Sequence, residues 1–116
     1  MGRPDLDDIR EAFCRGTYLL KPTAVAKILW KRGLRAEHLK MAVCDDAPEI
    51  IENYPEDPRG PACLVLGWAL INPPLHVAQP LHILVGYACI AGTDVEVITA
   101  YEPDSRHWQS PKVRRS

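Results

Sequence analysis

His82 sits inside an apolar run, Pro80-Leu81-His82-Ile83. An imidazole titrates near neutral pH, so it can take a proton from a hydroxyl or return one to a leaving oxygen. Arg32 carries a planar guanidinium that grips a phosphate through two parallel hydrogen bonds. Thr99 and Tyr101 lie two residues apart, the spacing that puts side chains on one face of a strand. The first could donate a hydrogen bond to a phosphate oxygen, and the second could orient or stack against a substrate. An acid/base group, a cation and hydroxyls are the parts that metal-free cleavage of a phosphodiester requires.

Each of these residues also has a plainer use. A histidine in an apolar strand serves as a hydrogen-bonded core residue, and His38 and His76 read as structural or exposed. Arg32 before Gly33 complements a helix C-terminus. Tyr54 and Tyr101 suit packing with wet hydroxyls, and Trp108 suits a plug over a sheet edge. Glu52, Glu56, Asp57, Glu102 and Asp104 surround predicted strand ends, where carboxylates are common. The sequence has no glycine-rich phosphate loop, no HExxH and no nucleophile elbow, which counts against nucleotide hydrolases, metalloproteases and esterases. Cys14, Cys44, Cys63 and Cys89 form no CxxC pair. Each lies in or beside an apolar stretch, so buried reduced thiols are expected, with no metal and no cofactor.

The net charge of −1 hides an uneven distribution. Residues 1–48 carry a net +2, residues 49–105 a net −7, and residues 106–116 a net +4. Lys21, Lys27, Lys31, Arg32, Arg35 and Lys40 face Glu37 alone between positions 21 and 40. Such a segment attracts phosphate even in a neutral protein. Lys27, Lys31, Arg32 and Arg35, with Lys112, Arg114 and Arg115 of the tail, are the candidate nucleic-acid contacts. The alternative is a solvated helical face that balances an acidic sheet.

The elements that must position these residues change character halfway along the chain. With 116 residues, 47% hydrophobic and 25% charged, the composition is that of one globular domain and excludes collagen, coiled coil and global disorder. Asp5 or Asp7 can cap a helix that runs to about Arg15, with Ile9, Ala12 and Phe13 on its apolar face. A short apolar linker, Tyr18-Leu19-Leu20, leads to a second helix over Thr23–Lys31 with Val25, Ile28 and Leu29 inward. A third helix over Ala36–Cys44 places Leu39, Val43 and His38 inward. Strands follow at Ile50–Tyr54, Ala62–Ile71, Leu81–Ile90 and Val95–Tyr101, the last alternating Val95, Val97 and Thr99 against Glu96, Ile98 and Ala100. A hairpin turn is expected at 91–94, and residues 72–80 fit either a loop or an edge strand. Helices first and strands afterwards predict an α+β fold, two to three N-terminal helices on a mostly antiparallel sheet of about four strands. Residues 1–108 are expected to form the domain and 109–116 a basic, mobile tail. The first eight residues show no apolar signal region, and the longest apolar run, Cys63–Ile71, is too short to span a bilayer. The expectation is a cytoplasmic protein with no membrane partner.

The stretch Ile50-Ile51-Glu52-Asn53-Tyr54-Pro55-Glu56-Asp57-Pro58-Arg59-Gly60-Pro61-Ala62-Cys63-Leu64-Val65-Leu66-Gly67 resembles the bacterial domain-of-unknown-function family 4258. So do Pro80-Leu81-His82-Ile83 with Val85-Gly86, and Val97-Ile98-Thr99-Ala100-Tyr101-Glu102-Pro103-Asp104 with Trp108. The resemblance runs from about residue 9 to 109 and is strongest over 49–108. The family pattern looks like the RelE-type toxins and small ribonucleases. By that analogy it implies a metal-independent endoribonuclease or a ribosome-associated toxin with an antitoxin-like partner. Two departures stand out. The family's early His-Ala pair in the second helix is replaced by Thr23-Ala24, although Arg32-Gly33-Leu34 fits the end of that motif, and the segment from Trp68 to Gln79 is longer than usual. The competing expectation is a non-enzymatic protein-interaction domain, a lapsed relative that could act as a homodimer.

Overall fold

The computed structural model describes residues 5–20, 22–45, 47–58, 60–71, 78–87 and 95–113. The Asp5 carboxylate accepts hydrogen bonds from the backbone N–H groups of Asp7 at 2.9 Å and Asp8 at 3.3 Å. These are donors that a helix start leaves open. Helix α1 (Leu6–Arg15) buries Ile9, Ala12 and Phe13 and ends at Gly16, whose φ of 71° is the left-handed turn glycine adopts at low cost. Helix α2 (Pro22–Val25) widens into a π-helical segment, Ala26–Lys31, which Arg32 closes by donating its N–H to the Lys27 carbonyl at 3.2 Å. Helix α3 (Ala36–Lys40) widens likewise into a second π segment, Met41–Asp45. Leu39, Val43 and His38 are buried, as their spacing predicts. Within α3, the His38 Nδ1 accepts the Arg35 N–H at 3.0 Å, a structural role for this imidazole.

The strands are β1 (Leu19–Leu20), β2 (Glu49–Tyr54), β3 (Ala62–Ala69), β4 (Gln79–Gly86) and β5 (Glu96–Tyr101), in the order β1-β5-β4-β3-β2. The fold is α+β, with one strand more than the sequence predicts. Leu19-Leu20 is not a bare linker: it pairs parallel to β5, with the Leu19 N–H donating to the Val95 carbonyl at 2.9 Å. The other pairs are antiparallel. The expected 91–94 turn, His76 and Cys89 lie outside the described residues, as do positions 72–77; Gln79 and Pro80 belong to β4.

The helices cover one face of this sheet. Cys63, Val65, Ala69, Leu81, Ile83, Val85, Val97 and Ala100 point into that layer and pack with Phe13, Ile28, Leu39 and Val43. Gly67 lets the second π segment approach: a Cβ there would lie 2.2 Å from the Ala42 carbonyl oxygen. Arg10 reaches across from α1 and donates to the Val43 and Cys44 carbonyls at 3.1 and 2.9 Å, the groups that a helix end leaves without partners. Beside this contact, Cys14 and Cys44 form a disulfide across 30 residues of chain. This corrects the expectation of reduced thiols for Cys14 and Cys44, which rested on their apolar flanks and the lack of a CxxC pair; the fold sets α1 beside the second π segment and brings the two sulfurs together. Cys63 is a free, buried thiol, and burial pushes its pKa up to about 12. No helix among the described residues is long and apolar enough to cross a membrane.

Candidate functional site

A bulge in β5 decides which side chains meet. Leu84 opposes Thr99 and Val85 opposes Val97, so Ile98 is the extra residue. The bulge resets the alternation. Val97 and Ala100 therefore both join the helix-side core, whereas simple alternation would separate them. Thr99 and Tyr101 follow Leu84 and His82 to the opposite face, because directly opposed residues in an antiparallel pair share a face.

On that face Glu49, Leu66, His82 and Tyr101 form one row across four strands. The chain after β5 folds back along this row. The Trp108 N–H donates to the Asp104 carbonyl at 2.9 Å, and the indole meets the His82 ring edge-on with centroids 4.3 Å apart. Tyr101 contacts the same imidazole at 5.3 Å. Residues 109–113, read from sequence as the start of a tail, make a turn closed by the Gln109 N–H on the Val113 carbonyl at 2.8 Å. His82 Nε2 donates to the Pro111 carbonyl at 2.6 Å, and Lys112 pairs with Glu49 at 2.9 Å. His82 is 0% exposed beneath this strap.

Arg32 approaches from the helix layer. Its Nη1 donates to the Thr99 hydroxyl at 3.0 Å and the Ala100 carbonyl at 3.3 Å. Because β1 pairs only with Glu96 and Val97, this guanidinium reaches the part of β5 beyond its short neighbour. Arg32 and Thr99 are thus brought together, and Tyr101 and His82 are brought together one step along the strand. The second pair is closed over by Trp108.

Among the described residues, the imidazole that solvent reaches is His107, with a side chain 69% exposed. Tyr101, Asp104, His107 and Trp108 line an open depression of about 180 Å³. Asp104 grips Arg106 through both carboxylate oxygens, at 3.1 and 2.8 Å to Nε and Nη2 from Oδ2 and 3.3 Å to Nε from Oδ1. These hydrogen bonds, with the Arg106 backbone N–H, hold its pKa down at about 2. His107 Nδ1 stands 4.0 Å from the same carboxylate. His107 lies outside every predicted strand; its signal in the sequence is the short Asp-X-X-His spacing just beyond the last strand.

The basic residues divide sharply. Among the described residues, Arg15, Arg35, Arg106 and Lys112 each have a carboxylate within 3.4 Å, and Arg10 is taken up by carbonyls. Lys27, Lys31, Arg32 and Lys40 have no carboxylate partner there. Of the seven expected nucleic-acid contacts, Lys27, Lys31 and Arg32 therefore stand together without counter-charge. Arg35 pairs with Glu37 and Lys112 with Glu49, and Arg114 and Arg115 lie outside the described residues. No group of histidine, cysteine or carboxylate side chains among the described residues is arranged to hold a metal ion.

No curated protein and no solved structure gives a significant match to the chain. The family model described as "Domain of unknown function (DUF4258)" matches residues 5–107, nearly the whole chain. The strands and the strap up to His107 all fall within the match, and the chain belongs to this family.

Proposed function

We propose that this protein binds RNA, with Lys27, Lys31 and Arg32 as its phosphate contacts. The observation that carries this reading is that Lys27 and Lys31 on the π segment, and Arg32 at its end, have no carboxylate partner among the described residues, Arg32 being held by the Thr99 hydroxyl and the Ala100 carbonyl alone, whereas Arg15, Arg35, Arg106 and Lys112 are each paired with a carboxylate. Three phosphate contacts on a single strand give a slope of about −2 in log affinity against log salt. Fluorescence anisotropy of labelled RNA across a salt series tests this. The Lys27→Ala/Lys31→Ala double variant should flatten the slope to about −0.7. Absence of binding at low salt, or an unchanged slope in the variant, contradicts the reading.

A cleaving activity of the RelE-type kind is the second reading, favoured by the solvent-reached His107 beside Tyr101. Cleavage through His82 would require the strap to leave, since its ring is fully buried and donates to Pro111. RNA degradation by wild type, His107→Ala and His82→Ala separates these. Loss in His107→Ala alone supports the depression as the reacting site. Absence of degradation by wild type, with and without ribosomes, leaves binding as the activity.

A further inference from the structure

Trp30 is 80% exposed, the most exposed of the large hydrophobic side chains described. It lies on the same π segment as Lys27 and Lys31, while Ile28 of that segment is fully buried and Leu29 partly so. The core therefore makes no use of the indole. The other described aromatics with ring or hydroxyl contacts are engaged within the molecule: Phe13 stacks on Tyr18, Tyr101 and Trp108 enclose His82, Tyr54 donates to Glu52, and Tyr87 donates to Asn53.

We infer that Trp30 is a stacking platform for an unpaired base, so that the surface formed with Lys27 and Lys31 selects single-stranded over duplex RNA. This deepens the RNA-binding reading and rests on it. Cations alone recognise phosphate in either form. A flat, exposed ring adds attraction for any base whose π-face is free, and a duplex keeps those faces inside its stack. The positive charge beside the ring matches a polyanion that carries aromatic groups, which an acidic peptide without them does not.

The test compares an oligouridylate of about ten nucleotides with an RNA duplex of equal length. Tryptophan fluorescence should be quenched by the single strand, and the quench should vanish in Trp30→Ala. That variant should bind the single strand about tenfold more weakly, keep its salt slope and lose the preference over duplex. Lys27→Ala should do the reverse, lowering the slope while the quench persists. Single-strand binding that keeps its salt slope and is equally strong in Trp30→Ala overturns the platform and leaves the RNA-binding reading standing. Failure of both probes to bind at low salt overturns both, as does equal binding of polyglutamate. Trp30→Phe, which retains an aromatic face, should restore most of the lost affinity; a Phe variant as weak as Ala overturns stacking as the cause.

Discussion

The two faces of the sheet are closed in different ways. The helix-side face is covered by regular elements whose apolar side chains interlock with Val65, Ile83 and Val97, and a disulfide and Arg10 fasten the cover. The opposite face is covered by about ten residues without regular structure. Its anchors include the indole of Trp108, a hydrogen bond from His82 and an exposed ion pair at Glu49. Local opening takes the fewest buried contacts first, so the strap should open before the helical layer. The polar, titratable groups that could do chemistry gather on the face that opens more easily. The uncompensated cations among the described residues sit on the other layer, and Arg32 reaches from it to Thr99.

The comparison breaks most severely at Gly67. Its replacement by alanine puts a methyl group into the Ala42 backbone, and no side-chain rotation relieves the clash. The expected loss is more than about 3 kcal/mol, read by urea denaturation, and a loss under 1 kcal/mol would show that the second π segment is not held where it lies. Reducing the Cys14–Cys44 bridge comes next. Closing 30 residues of chain restricts the unfolded state by about 3–4 kcal/mol. A Cys14→Ser/Cys44→Ser variant should lose stability of that order while the ring contacts around His82 persist. Trp108→Ala reverses the pattern. It should cost about 2–3 kcal/mol, less than a fully enclosed tryptophan, because the strap can rehydrate on release. Solvent exchange of the His82 ring N–H, followed by NMR, should then accelerate while amides of the helical layer stay protected; equal acceleration on both faces contradicts the separation.

The smallest effect is pH-dependent. Asp104 has its pKa lowered from 3.8 to about 2 by Arg106. A depressed carboxylate contributes stability above its ordinary pKa and loses it as pH falls through the folded value. The turn carrying Trp108 should therefore hold its structure at pH 5 and weaken between about 4 and 2. The Arg106 and Trp108 amide shifts report this, and a midpoint near 4 would show that the pairing with Arg106 does not persist in solution.

The sequence made the helical layer legible because its signals are local. The Asp5 cap, Gly16 and the spacing of Ile9, Ala12 and Phe13 lie within one helix and do not depend on the rest of the chain. The other face depends on long-range geometry. A one-residue bulge at Ile98 moves Ala100 into the core without altering the residue types. Two residues, Leu19-Leu20, are too few to show a strand period. The Cys14–Cys44 bridge needs the packing of α1 on the second π segment, which no spacing rule contains. His82 was recognisable as a histidine in a strand, but its lid comes from a segment whose composition resembles a loose tail. Trp30 did leave a signal: it breaks the apolar face of its helix and stands next to Lys31.

The proposed RNA contacts and the closed His82 pocket make opposite demands on one measurement. Titrating isotope-labelled protein with oligouridylate and mapping the chemical-shift changes should move the amides of 27–32 and the Trp30 indole N–H, leaving the His82 ring and the Trp108 indole unchanged. Shifts centred on His82 and Trp108, with residues 27–32 silent, would contradict the account.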